Sequence, residues 1–90
     1  MNELLQLRDA DLAWRELHGE VVALDLHASE YFTVNASGGI LWEALTRGTT
    51  RSELVRCLID AYGVSPETAG RDTDSFLAEL ERRGFLDRRG

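Results

Sequence analysis

The sequence has no lysine, one cysteine, one proline and no long apolar segment. Its single cysteine, Cys57, cannot form an internal disulfide, so the fold does not depend on an oxidising compartment. No apolar run approaches the ~20 residues that a membrane-spanning helix needs. The first residues also lack the basic and apolar regions of a secretory signal. We therefore expect a cytoplasmic protein.

Positive charge is scarce as well, because ten arginines face 16 acidic residues and the net charge is −6. An acidic chain has no electrostatic footprint for a polyphosphate, which disfavours nucleic acids and anionic membranes as partners. With 90 residues and 43% hydrophobic content, the chain is long enough for one core and too short for two. We expect one domain over residues 1–90.

Three short segments rich in aromatic and branched residues precede three segments with helical spacing. The predicted strands are 12–17, 21–26 and 31–34, an antiparallel meander whose first turn is His18-Gly19. The predicted helices are 36–47, a second one that follows the capping box Thr50-Arg51-Ser52-Glu53, and 66–83. The fold class is therefore α+β, a three-stranded antiparallel sheet followed by three helices. After it, residues 85–86 should fold back onto the core and residues 87–90 should fray.

The second and third predicted helices resemble a helix-turn-helix pair, which raises the alternatives of a DNA-binding protein or a scaffold. The segment that would face DNA contains Glu67, Asp72 and Asp74 against one base, Arg71. These carboxylates oppose binding to phosphates, so the scaffold is the better of the two.

Catalytic and metal sites find little support in the sequence. His18 and His27 lie at predicted strand ends, apart from Cys57 in the second helix, so no nucleophile and base can be paired. One cysteine and two histidines lack the paired spacing of a zinc site. The triplet Asp74-Ser75-Phe76 is similar to the attachment site of acyl carrier proteins, but it lies inside the last helix rather than at the start of a central one. We expect no enzyme activity, no cofactor and no metal.

The third strand offers a different kind of site, because it is the last strand of an open sheet. Its outer edge carries unpaired backbone groups to which an extended peptide can add as a further strand. Side chains alternate along it, so Phe32 and Val34 share one face while Tyr31 and Thr33 share the other. The sequence leaves open which pair faces the core.

Several motifs together resemble the PqqD-like family over about residues 7–86. The matching segments are Leu7-Arg8-Asp9, Val21-Val22-Ala23-Leu24-Asp25, Glu30-Tyr31-Phe32-Thr33-Val34-Asn35 with Gly38 and Trp42, Gly48-Thr49, and Phe76-Leu77-Ala78-Glu79-Leu80 with Gly84-Phe85-Leu86. The resemblance implies a winged-helix-like element that binds the leader of a ribosomally synthesised precursor peptide. It also implies that a separate cysteine-type leader peptidase, as in lasso-peptide maturation, or another maturase then acts on that precursor. Service to a radical maturase, as for PqqD itself, is the nearest alternative.

In the family the leader adds as a strand between the third strand and the third helix. On this sequence, the resemblance assigns backbone pairing to Tyr31, Phe32, Thr33 and Val34. We expect Phe76 and Leu80 to face the core. The opposite wall is then formed either by Asp74, Leu77, Ala78 and Glu81, one step around the third helix, or by the other side of the core stripe at Asp72. Leu77 is the expected apolar anchor of this wall, and the carboxylates beside it favour a basic residue in the leader.

Overall fold

The computed structural model describes residues 3–8 and 10–89. Five strands and three helices follow one another as β1 (Leu4–Leu7), β2 (Leu12–Leu17), β3 (Glu20–Asp25), β4 (Glu30–Val34), α1 (Ala36–Arg47), α2 (Arg51–Tyr62), α3 (Pro66–Arg82) and β5 (Leu86–Arg89). The predicted α+β class is confirmed, with the three-stranded sheet before the three helices. Asp9 and Gly90, which belong to segments discussed above, lie outside the described residues.

The main sheet is an antiparallel meander in the order β2-β3-β4. Its first turn has positive φ at both His18 (53°) and Gly19 (83°), which is the backbone of a two-residue hairpin turn matched to the twist of a sheet. Strand β3 ends at Asp25, one residue earlier than predicted. The Asp25 carboxylate accepts hydrogen bonds from the backbone N–H groups of His27 (3.0 Å) and Ala28 (3.2 Å), which turns the chain before Leu26 can extend the strand.

A second sheet of two strands was not predicted. Strand β5 pairs antiparallel with β1, so the prediction that the chain frays after residue 86 is wrong for residues 87–89. The pairing places Leu5 in the core, 1% exposed, where its backbone exchanges hydrogen bonds with Thr49 (2.7 and 2.9 Å). Ion pairs from Arg88 to Glu3 and Glu81 link β5 to the segment before β1 and to α3.

The helix starts follow their sequence signals. The Asn35 side chain accepts from the N–H of Gly38 at 3.0 Å, and Ser65 accepts from Thr68 at 3.1 Å. At the predicted capping box, the Thr50 hydroxyl accepts from the N–H of Glu53. These contacts satisfy backbone donors that have no partner inside their own helix.

The core lies between α1 and the main sheet and continues under α2 and α3. Its centre is Trp42, which is fully buried and meets the rings of Phe32, Phe85 and Trp14 with centroids 6.1–6.3 Å away. Gly38 lets α1 come this close to the sheet, because a Cβ there would overlap the side chain of Val34. Close packing of α1 on the sheet therefore accounts for the glycine at position 38.

Candidate functional site

The outer edge of β4 is unpaired within the described residues, since β4 is the last strand of its sheet. The His18-Gly19 turn between β2 and β3 sets the hydrogen-bond pattern of the sheet. It therefore determines which backbone groups of β4 are free. Across a two-residue turn the flanking residues, Leu17 and Glu20, exchange both hydrogen bonds. Backbone groups alternate in direction along a strand, so every second residue of β3 from Glu20 bonds to β2. The N–H of Leu26 fits this alternation, because it donates to Asp11 on the β2 side at 2.9 Å.

The remaining residues of β3 bond to β4. Ala23 is opposite Phe32 and Val21 is opposite Val34, so the backbone groups of Phe32 and Val34 are used within the sheet. The N–H and C=O groups of Tyr31 and Thr33 therefore point outward from the free edge.

The two faces of β4 are also distinct. Val34 is 5% exposed and Phe32 packs against the core, whereas Tyr31 is 75% exposed and Thr33 is exposed. The structure thus resolves the choice that the sequence left open: Phe32 and Val34 face inward.

One side of α3 faces β4 and is formed by Asp72, Phe76, Glu79 and Arg83, which lie three or four positions apart. The guanidinium of Arg83 lies 4.4 Å from the centre of the Phe32 ring. The ring of Phe76 reaches the start of α1, where its Cε1 lies 3.1 Å from the position of a Cβ at Gly38. We call the space between this side of α3 and the edge of β4 the β4–α3 groove.

At the end of β4 the groove opens into a cleft of about 540 Å³. Its apolar lining comes from all three helices, and it is bounded by Asn35, Ser37, Gly38, Leu41, Leu58, Tyr62, Val64, Asp72, Ser75 and Phe76. We call this space the apolar cleft. It is large enough for a side chain to enter beyond the end of the strand.

Charged groups surround the other end of the groove. Glu79 accepts hydrogen bonds from Arg82 (2.5 Å) and Arg83 (2.7 Å), which lower the pKa of Glu79 to about 2. The pKa of Asp25 is also lowered, first by the N–H of Ala28 and also by the Arg8 guanidinium 3.1 Å away. These pairs balance the charges of Asp25 and Glu79, whereas Glu30 beside them forms no ion pair within the described residues.

Four of the predicted groove residues lie on the opposite side of α3. Asp74, Leu77, Ala78 and Glu81 line a separate pocket of about 220 Å³ with Leu5, Arg51, Arg88 and Glu3. Leu77 is 4% exposed and belongs to the core, and Asp74 binds Arg51 through two hydrogen bonds of 2.7 and 2.9 Å. Of the predicted α3 residues, the structure brings only Asp72 to the β4–α3 groove.

Phe76 and Arg83 were missed as groove residues. Phe76 was expected in the core, yet it is only partly buried, because Thr73, Leu77 and Leu80 occupy the inner face of α3. Phe76 and Leu77 are both apolar and lie on opposite sides of the apolar face of α3. Helical spacing alone does not determine which of the two is buried.

The profile of the family described as coenzyme PQQ synthesis protein D (PqqD) matches residues 20–86, about three quarters of the sequence. The chain belongs to the PqqD family. The match includes β3, β4 and the three helices, and therefore both walls of the groove.

Two solved structures are similar to this PqqD-family chain. The first, "TbiB1 in Complex with the TbiA(beta) Leader Peptide", has a TM-score of 0.84 at 29% identity and covers 91% of this chain and 94% of its own. The second, "Lasso peptide synthetase B1 complexed with the leader peptide", has a TM-score of 0.81 at 22% identity, with coverages of 92% and 96%. The second likeness shows the fold alone. No curated protein sequence matches the chain.

Within residues 3–8 and 10–89 of this PqqD-family chain, no helix is long and apolar enough to cross a membrane. Among the same residues, no group of three or more His, Cys, Asp or Glu side chains is placed to hold a metal ion. The β4–α3 groove with its apolar cleft remains the best candidate site.

Proposed function

We propose that this protein binds the leader segment of a ribosomally synthesised precursor peptide, which adds to β4 as a further strand in the β4–α3 groove. One observation carries the proposal: the outward N–H and C=O groups of Tyr31 and Thr33 border a groove whose other wall is the side of α3 that carries Phe76. Backbone pairing of this kind gives affinity, and side-chain pockets next to it give specificity. The first solved relative holds a leader peptide, which supports the same function here.

We infer further that the chain acts as a binding module rather than as an enzyme. In this role, residues 1–90 form one recognition domain that holds the precursor in the cytoplasm for a separate maturation enzyme. The motifs that resemble the PqqD-like family favour a cysteine-type leader peptidase, as in lasso-peptide maturation, as that enzyme. Family membership also fits service to a radical maturase, and reconstitution with either enzyme would discriminate between them.

The direct test is amide hydrogen exchange with a bound peptide. Binders selected from a displayed library of random linear peptides supply the probe. We expect the amides of Tyr31 and Thr33 to become protected on binding, because their N–H groups gain acceptors. Phe32 and Val34 serve as internal controls, since their amides are already bonded to β3 in the free protein. Equal protection gains at all four positions would contradict the assigned edge.

A proline substitution tests the same edge by affinity. Thr33→Pro removes an N–H that points away from β3, so it deletes one hydrogen bond to the peptide and none within the sheet. Thr33→Ala is the matched control, because it keeps the N–H. We expect Thr33→Pro to weaken binding about tenfold and Thr33→Ala to change it little. Melting curves establish that both variants are folded. Unchanged affinity for a folded Thr33→Pro variant would refute strand addition at this edge.

A further inference from the structure

The apolar cleft is larger than strand pairing at β4 requires. It begins where β4 ends, and Phe76 forms part of both the groove and the cleft. A peptide paired with Tyr31 and Thr33 therefore reaches the cleft with the residues that extend beyond Val34. The apolar lining suits one large apolar side chain, which we call the anchor residue.

The lining of the apolar cleft carries a single charge, and that charge is negative. Asp72 is the only charged residue among those that line it. Asp72 forms no ion pair with any residue of the described chain, whereas Asp74 binds Arg51 and Glu79 binds Arg82 and Arg83. The cleft thus has a carboxylate at its rim without a cation to balance it.

Resting on the proposed function, we propose that Asp72 is a specificity-determining residue that pairs with a lysine or arginine next to the anchor residue of the bound peptide. Asp72 lies one helical turn before Phe76, past the end of β4. The cation should therefore lie on the part of the peptide that extends beyond Val34, and not opposite Tyr31. Electrostatic complementarity of this kind contributes to the choice of partner more than to total affinity.

The test couples a change in the protein to a change in the peptide. Binders are selected with the unaltered protein, and each basic residue of the tightest peptide is replaced in turn by glutamine. Dissociation constants are then measured for the unaltered protein and for Asp72→Asn. Asp87→Asn is the matched control, because it removes the same charge from β5, outside the groove.

We expect one basic residue near the anchor to matter. Its replacement should weaken binding to the unaltered protein about three- to fivefold, as for an exposed ion pair, and should have no effect on binding to Asp72→Asn. The coupling should shrink in high salt. The Asp87→Asn control should behave as the unaltered protein does.

The outcomes separate this inference from the proposed function. Peptides that protect the Tyr31 and Thr33 amides but show no coupling to Asp72 overturn the inference and leave the proposed function intact. Equal coupling to Asp72→Asn and Asp87→Asn also overturns it, since the effect then comes from net charge. A library that yields no binder overturns the proposed function and this inference with it.

Discussion

Alanine substitutions at two adjacent residues of α3 should have different effects, one on stability and the other on peptide binding. Leu77 is 4% exposed in the core, while Phe76 is partly buried beside the groove. Leu77→Ala removes three buried carbon groups at about 0.8 kcal/mol each, or about 2.4 kcal/mol before any cavity cost. Including the cavity, the unfolding free energy should fall by about 2–5 kcal/mol. For a domain of this size, about 2.5 kcal/mol lowers the melting temperature by about 10–20 °C.

Phe76→Ala should instead act on peptide binding. Removal of a partly buried aromatic side chain from a binding surface typically costs about 1–2 kcal/mol of affinity, a roughly 5- to 30-fold rise in Kd. Its cost in stability should be smaller than that of Leu77→Ala. Urea unfolding and peptide titration of the two variants, side by side, provide the assay. A Leu77→Ala variant with unchanged stability and weaker binding would refute the core position of Leu77, because Leu77 would then face the peptide.

Three further predictions concern stability. The Thr73 hydroxyl is fully buried and has no hydrogen-bond partner among residues 3–8 and 10–89, so Thr73→Val should raise the unfolding free energy by about 1 kcal/mol in urea unfolding; a loss would show that the hydroxyl is bonded. Gly38→Ala should cost about 1–3 kcal/mol in the same assay through overlap with Val34, whereas Gly39→Ala should not; equal effects would contradict the packing of α1. The lowered pKa of Glu79 stabilises the fold above about pH 4.5, and this contribution disappears as the pH falls towards 2. The stability difference between the unaltered protein and Glu79→Gln should therefore vanish over that range, and a difference independent of pH would refute the ion-pair assignment.

Local signals were sufficient for most of the fold. The helix starts at Asn35, Thr50 and Ser65 were predictable because each has a capping side chain followed by helical spacing. The His18-Gly19 turn was predictable because glycine adopts positive φ easily and separates two segments of strand-forming residues. At these positions the local sequence is sufficient to predict the backbone conformation.

The second sheet was not predictable in the same way. Strand β5 has one half-buried side chain, Leu86, followed by three exposed charged residues, so it lacks the alternation that indicates a strand. Its pairing with β1 joins opposite ends of the sequence, and no local pattern reports such a contact. Two backbone hydrogen bonds between Leu5 and Thr49 hold β1 in position, and β5 then pairs with β1.

The groove wall was predicted only in part for a related reason. Helical spacing defines an apolar face but leaves its centre uncertain by about one residue, or 100° of rotation. The contact of Arg83 with Phe32 and the salt bridge between Arg51 and Asp74 fix that rotation in the structure. Asp72, which the sequence offers as the alternative side of the groove, is the one predicted α3 residue that lies beside the cleft at the end of β4.

The pairing of β1 with β5 brings the two described ends of the chain side by side, with Leu4 opposite Arg89. A short linker can therefore connect them, and new termini can be opened at the exposed His18-Gly19 turn. Such a circular permutant would keep every residue of the β4–α3 groove. Peptides or reporters fused at the new ends would then extend from the tip of a hairpin.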